Sequence, residues 1–373
     1  MSDSSKLLHL EHVEDLIFDG HSGWLEALGT LSDVRWAILG HDDDTKVSTK
    51  YDGSPSIVFG HHPVTGRFFV GTKSVFNKEP KINYTEEDID RNHESEGLRK
   101  KLKLALSCIG IVTPMGVYQG DFMYDHDDIV QFGNFAEFTP NTLTYSTLPD
   151  SEMWLRTRHA IIGIVVHTQY VFVGYDVTSL ADMVAEPIDD LSHFHKCGEV
   201  HIIDPNVKLP FVDLPSLAVI DEIFDTASDF ARDVNWRITD LLPIEHIRPY
   251  VNDCVKNETE TTALGFAMFL VVHGMKQSVK LKTLHGQAKK LKSYLEISNT
   301  VLEYATAYEN LFKVNRHLRN AKDILIQTLD TQSEFETFVN GEPVGGEGYV
   351  VNNVKLVNRH EFSRLNFARF NKA

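Results

Sequence analysis

The sequence is short of cysteine, of positive charge and of any long apolar run, and each shortage removes a class of function. Cys108, Cys197 and Cys254 are the only cysteines. An odd number, widely spaced and without a Cys-x-x-Cys pair, offers neither a disulfide framework nor a thiolate zinc site, so the three read as packing residues in a reducing compartment. The most apolar window, "ALGFAMFLVV" at 263–272, is about half of the ~20 residues that a membrane-spanning helix needs. The first residues have no cationic start followed by an apolar core, so the expectation is a soluble cytoplasmic protein with no membrane partner. Lysine and arginine number 36 against 53 aspartates and glutamates, a net charge of −17. Such a surface repels a polyanion, so any contact with nucleic acid must be local. The 18 histidines include no His-Glu-x-x-His pair, which removes the common zinc hydrolase arrangement. No Gly-x-x-x-x-Gly-Lys-[Ser/Thr] occurs, and "GEPVGGEG" at 341–348 lacks the lysine of a phosphate-binding loop.

What is present is the composition of a folded protein, with 42% apolar and 24% charged residues in 373, a length that suits two structural units. Leu7, Leu8, Leu10, Val13, Leu16 and Ile17, followed by "GWLEALGTL", have near-helical spacing and predict a helical lead over 1–45. From Val47 the texture is β: "STKYDGSPSIVFG", the turn-rich "HHPVTG" and "RFFVGTKSVF" form a hairpin pattern. Strands follow at "GVYQGDFMY", "NFAEFTP", "TLTYS" and "IIGIVVHTQYVF", with one helix expected over 86–109. After about Pro215 the pattern is helical for over a hundred residues, without a fixed repeat. "GGEGYVVNNVKLVNRHEF" then returns to β with Asn352-Asn353 as a tight turn. A lone hairpin is marginal in water, so these last strands must rejoin the first sheet. The expected fold is α+β, with antiparallel sheets flanked by helices over 46–214, a bundle inserted over 215–338, and completion by 339–373.

The segment "VSTKYDGSPSIVFG" at 47–60 carries the chemistry. In a strand, Lys50 and Asp52 would share a face, Gly53 would admit a close neighbour, and Pro55 would end regular pairing. A lysine with its proton removed is a nucleophile; at its ordinary pKa of about 10.4 it is an ammonium, and burial or nearby positive charge lowers that value. The bland reading is a surface ion pair on a strand.

Order and company favour the chemical reading. Lys50-Tyr51-Asp52-Gly53 resembles motif I of the covalent nucleotidyltransferases, the DNA ligases, RNA ligases and mRNA capping enzymes, in which that lysine is linked to a nucleoside monophosphate. "RFFVGTKSVF" is similar to the following strand, with Lys73 in place of a frequent arginine. "VYQGDFMY" resembles motif III and would put Asp121 near the ribose or a metal. "IGIVVHTQYVFVGYDV" resembles motif IIIa and offers Tyr170, Phe172 or Tyr175 to stack on the base. "EGYVV" resembles motif IV, with Glu347 facing a metal, and "VKLV" a reduced motif V with Lys355 at the α-phosphate. The resemblance covers residues 45–180 and 340–360. It is closest to uncharacterised ligase-like proteins of large tailed phages, which would place the protein in host cytoplasm.

That resemblance implies a ligase-type nucleotidyltransferase domain that uses ATP and magnesium, or manganese in its place. Lys50 would be the nucleophile, with Asp52, Gly53, Lys73, Asp121 and Lys355 around the nucleotide and Asp121 and Glu347 on the metal. It also implies a lysyl-AMP intermediate and the sealing of 5′-phosphate to 3′-hydroxyl ends. Motif V usually reads Lys-x-Lys; here Val357 takes the second lysine's place, and Arg359 or Arg364 would supply the cation. The short stretch after Lys355 leaves no room for an oligonucleotide-binding fold, which favours the RNA-ligase-like branch. Transfer of AMP or GMP to a protein, a small molecule or an RNA 5′ end, and a binding protein without turnover, remain the alternatives. For nucleic acid ends, the best local patch is "KQSVKLKTLHGQAKKLK", six lysines from Lys276 to Lys292 with no acid between them; read blandly, it is a solvated helix face. The helical insertion is also a candidate platform for a protein partner.

Overall fold

The computed structural model describes residues 10–172, 179–209, 218–237 and 244–359, and the chain divides into two compact units. One combines Met1–Leu10, Lys46–Lys208 and Asp330–Gly348; the other combines Glu11–Thr45, Leu209–Leu329 and Tyr349–Ala373. The class is α+β, with antiparallel sheets in the first unit and long helices in the second. Among the described residues no helix is long and apolar enough to cross a membrane.

The first unit is built on two sheets. In the larger, Met183–Pro187, Ile162–Phe172, Val117–Asp125, Ser56–His61 and Phe68–Gly71 lie side by side, all antiparallel, and Val200–Ile203 adds in parallel to the first half of Ile162–Phe172. Alternation along each strand buries both faces. Ile57, Phe59, Tyr118, Phe122, Ile162, Ile164 and Val166 pack on one side against Leu98, Leu102, Ala105 and Ile109, the apolar stripe of the helix Glu96–Cys108 and its extension. Val58, Phe69, Val117 and Tyr170 pack on the other, against Val75, Phe76, Leu180 and Met183. The single helix expected over 86–109 is two, Glu86–Asn92 and Glu96–Cys108. Thr85 and Asp88 form a capping box on the first, and Ser95 accepts from the Leu98 amide to start the second, so the chain must break between them.

The smaller sheet is antiparallel, in the order Glu342–Val344, Phe335–Val339, Thr144–Thr147, Phe135–Phe138, Val130–Phe132. Its centre joins strands nearly two hundred residues apart in sequence, with Phe335 opposite Thr147 and Phe338 opposite Thr144. Tyr145, Phe138 and Phe335 interlock there, their ring centroids 5.6 Å apart.

The second unit holds the helices His21–Ile38, Ala218–Arg232, Ile244–Lys256, Ala263–Ser278, Leu284–Glu303 and most of Ala305–Asp330. Phe18, Tyr250 and Phe266 gather around Phe312 at 5.7–6.5 Å. The lead expected over 1–45 does not stand alone, since Glu11–Thr45 falls in one unit with Leu209–Leu329 and Tyr349–Ala373, and the last hairpin lies in neither of the two sheets described above. Glu11 and His12 pair in parallel with Val354 and Lys355 of the hairpin Tyr349–Val351/Val354–Leu356, whose turn residues Asn352 and Asn353 both have positive φ. Buried charge completes the junction. Lys322 Nζ donates to Glu14 Oε1 at 2.8 Å, Arg359 to Asp15 Oδ2 at 2.8 Å, and Asn315 Nδ2 to the Glu14 carbonyl at 2.6 Å. Burial opposes the charge on Glu14, but Lys322, His12 and Arg359 overcome it and hold its carboxyl down to about 2.

Lys322 is fully buried, so Lys322→Met leaves the buried Glu14 carboxylate without its hydrogen-bonded counter-ion. The expected loss in unfolding free energy by urea titration is about 3–5 kcal/mol. Glu14→Gln in the same chain removes the stranded charge and should restore much of that loss.

Candidate active site

Lys50 lies just past the short strand Val47–Thr49, and Lys50-Tyr51-Asp52-Gly53 is extended chain outside any strand. The expected strand carrying Lys50 and Asp52 is therefore absent, and the segment is fixed by side chains instead of a ladder. Tyr51 packs against both Tyr145 and Phe335 of the smaller sheet, at 5.8 and 6.0 Å. The Asp52 amide donates to the Tyr145 hydroxyl at 2.7 Å. The Asp52 carboxylate, buried, accepts from Asn141 Nδ2 at 2.8 Å and from the amides of Thr142 and Leu143 at 2.7 and 3.0 Å. Expected beside a nucleotide, Asp52 is instead taken up in pinning this segment to the loop before Thr144–Thr147.

Gly53 sets the approach to the larger sheet. A Cβ there would fall 2.5 Å from Asp121 Cβ and 3.0 Å from Met123 Sδ, so only glycine lets the chain pass this close to the middle of Val117–Asp125. Beyond it the Ser54 amide donates to the Phe122 carbonyl at 2.9 Å, and Lys101 Nζ donates to the Ser54 carbonyl at 3.0 Å.

Glu347 arrives from the other end of the unit. The Lys50 amide donates to the Gly348 carbonyl at 2.8 Å, which aligns the two segments, and Lys50 Nζ is ion-paired and hydrogen-bonded to Glu347 Oε1. The pair is sheltered rather than sealed, with the side chains 28% and 13% exposed. Burial pushes the Glu347 carboxyl above its ordinary range; Lys50 pulls it back, and the charges of Asp52 and Asp121 push it up again. One ammonium thus stands among three carboxylates.

Asp121 is held by residues that the sequence did not single out. It sits opposite Ser56 in the ladder, and His167 Nε2 lies 3.5 Å from Asp121 Oδ2. Burial opposes its charge, while hydrogen bonds from His167 and Ser56 and the charges of His167 and Lys50 hold the carboxyl below its usual range. Tyr170 donates to Gln119 Oε1 at 2.6 Å and Gln119 Nε2 to Ser56 Oγ at 3.0 Å, extending the network along this face. The cause is a β-bulge. Gln119 pairs with Thr168 but Gly120 with Val166, leaving His167 as the extra residue. The bulge reverses the alternation, so that Ile164 and Val166 face the helix Glu96–Cys108 whereas Tyr170 turns to the face of Val117 and Asp121.

Tyr170 is buried against Phe76 at 4.4 Å, and Phe172 packs half-buried on the same cluster. Tyr175 and Arg364 lie outside the described residues. Lys73 is exposed at the start of the turn Lys73–Phe76. Lys355, half-buried on Val354–Leu356, and Arg359 belong to the second unit. Arg359 is buried and committed to Asp15 and Asn252 rather than being a free cation. The lysines of 276–292 surround the turn between the helices Ala263–Ser278 and Leu284–Glu303, also in the second unit.

Among the described residues no group of three or more His, Cys, Asp or Glu side chains is arranged to hold a metal ion. Asp121 and Glu347 nonetheless suit magnesium, which keeps several of its waters and requires only one or two carboxylates. Burial first, and then the charges of Asp52 and Asp121, raise the Glu347 carboxyl against the pull of Lys50.

A model for a family of unknown function (DUF6267) matches residues 8–371. No curated protein matches the chain, and no solved structure does.

Gly53→Ala tests whether this close approach organises the site. The added methyl group has no room beside Asp121 and should cost about 1–3 kcal/mol in stability, read as a lowered thermal midpoint.

Proposed function

The chain belongs to this family, DUF6267, and for it we propose an ATP-dependent nucleotidyltransferase of the RNA-ligase-like kind, with Lys50 as the nucleophile. The observation that carries this reading is the sheltered pair of Lys50 and Glu347 beside Asp121. A structural salt bridge gains nothing from extra acids crowded around it; a site that takes up a divalent cation does, and that cation would in turn weaken the hold of the Lys50 amine on its proton.

In the first step Lys50 gives up its proton to solvent, which the exposure of the pair admits, and the cation that Asp121 and Glu347 would hold favours the neutral amine. The free amine attacks the α-phosphorus of ATP, the N–P bond forms, and the bond from the α-phosphorus to the bridging oxygen breaks as pyrophosphate leaves with the electron pair. Magnesium held by Asp121 and Glu347 would neutralise charge on the phosphate oxygens. His167 and Ser56 keep Asp121 ionised for that task. The face bearing Gln119, Tyr170 and Phe172 would support the nucleoside side of the site. The nucleotide then passes to a 5′-phosphate: an oxygen of that phosphate attacks the lysine-bound phosphorus, the N–P bond breaks, and the amine takes back a proton. A 3′-hydroxyl finally attacks the activated 5′-phosphate, releasing AMP.

The net charge of −17 favours one second reading, transfer of the nucleotide to an acceptor other than a polynucleotide. The first step is shared. Incubation with magnesium and ATP labelled at the α-phosphate is expected to label the protein covalently. Lys50→Ala should abolish the label while leaving the circular dichroism unchanged, and Glu347→Gln should slow labelling by about 10²-fold or more. An unlabelled wild-type protein, recovered free of bound nucleotide, overturns the proposal. Joining assays on nicked RNA, nicked DNA and single strands separate a ligase from a transferase with another acceptor.

A further inference from the structure

The helical hairpin Ala263–Ser278/Leu284–Glu303 buries one face and leaves the other apolar and open. Phe266 and Leu270 are buried, with Phe266 in the aromatic core. Ala267 and Gly274 face the neighbouring helix, where Ser298 Oγ donates to the Ala267 carbonyl at 3.0 Å and a Cβ on Gly274 would lie 2.6 Å from Tyr294 Cβ. Leu264, Met268, Val272 and Met275 follow helical spacing along the remaining side; Leu264 and Met268 are each 61% exposed. Leu295 and Leu302, seven residues apart, are exposed on the second helix. At about 100° per residue, and with the two helices antiparallel, both stripes turn to the same outer face, away from the core.

We propose that this face binds a second copy of the chain, in a twofold contact between hairpins. Together with Val279 and Leu284 at the turn, the exposed apolar side chains present on the order of 800 Å², one partner's share of a standard-size interface and more than scattered surface residues explain. Charge selects the arrangement. The turn end carries six exposed lysines from Lys276 to Lys292, whereas the opposite end carries the exposed Glu258, Glu260 and Glu303. Parallel stacking would set lysines against lysines. A twofold axis across the middle of the hairpin sets each lysine-rich turn over the acidic end of the other copy, twice, as an isologous contact requires. The lysines that the sequence offers to nucleic acid thus have an acidic counterpart in the protein itself. This inference is independent of the chemistry at Lys50.

Sedimentation velocity of the full chain over a micromolar concentration series tests it. The wild type is expected to be a dimer that weakens with salt. Met268→Glu with Val272→Glu, both at exposed positions, should give a monomer with unchanged circular dichroism and thermal midpoint. Lys289→Glu with Lys292→Glu should raise the dimer Kd about tenfold, a loss near 1.4 kcal/mol; adding Glu258→Lys and Glu303→Lys should restore it. A wild type that remains monomeric overturns the proposal, as does a dimer whose mass ignores the Met268/Val272 pair. A monomer that instead binds anionic vesicles or RNA through this face overturns the choice of partner.

Discussion

The pairing of Phe335–Val339 with Thr144–Thr147 is the contact on which the Lys50 site depends. It closes a loop of nearly two hundred residues, and the aromatic interlock of Tyr145, Phe138 and Phe335 supplies much of the burial that offsets that closure. Two things follow from it. Tyr51 gains a slot in the same cluster, which fixes the segment around Lys50. The chain after Val344 is also held close enough for Glu347 to reach the Lys50 amine across 297 residues of sequence.

The protein places charge in two contrasting settings. In the second unit Lys322 and Arg359 are buried with Glu14 and Asp15, each direct pair near 2.8 Å, and join the first residues of the unit to its last. Such pairs are costly to break and add little beyond apolar packing, so they serve to fix which segments meet. At Lys50 the ammonium is outnumbered, its partner Glu347 is held above its ordinary carboxyl range, and the pair remains in reach of solvent. The first arrangement is sealed within the packing of its unit; the second stays open to solvent.

The β-bulge at His167 links fold to site. Ile162, Ile164, Val166, Tyr170 and Phe172 stand at even numbers with only Thr168 between them, which reads in sequence as one face. One extra residue splits that face in two, gives the helix Glu96–Cys108 the first half, turns Tyr170 towards the opposite side, and brings His167 to Asp121. Nothing in the local pattern marks the position, because a bulge is a mismatch between two strands and only one of them is present in the string "IGIVVHTQYVF".

Local structure was legible from the sequence alone: the α+β class, the strands around Val58, Phe122 and Ile164, the run of helices after about Pro215, and the Asn352-Asn353 turn; the choice of Lys50, Asp121 and Glu347 as residues worth testing came from the order of the motifs that resemble nucleotidyltransferases. The local features depend on side-chain period and turn preference, which operate over a few residues. Only the tertiary structure decided that Asp52 serves as an anchor, that Arg359 is consumed by Asp15, that Gly53 exists to clear Asp121, and that His167 supports it. Each of those outcomes is a competition for a partner distant in sequence. Burial decides such competitions by leaving no polar group unpaired at low cost, and burial is a property of the packed chain, not of any segment of it.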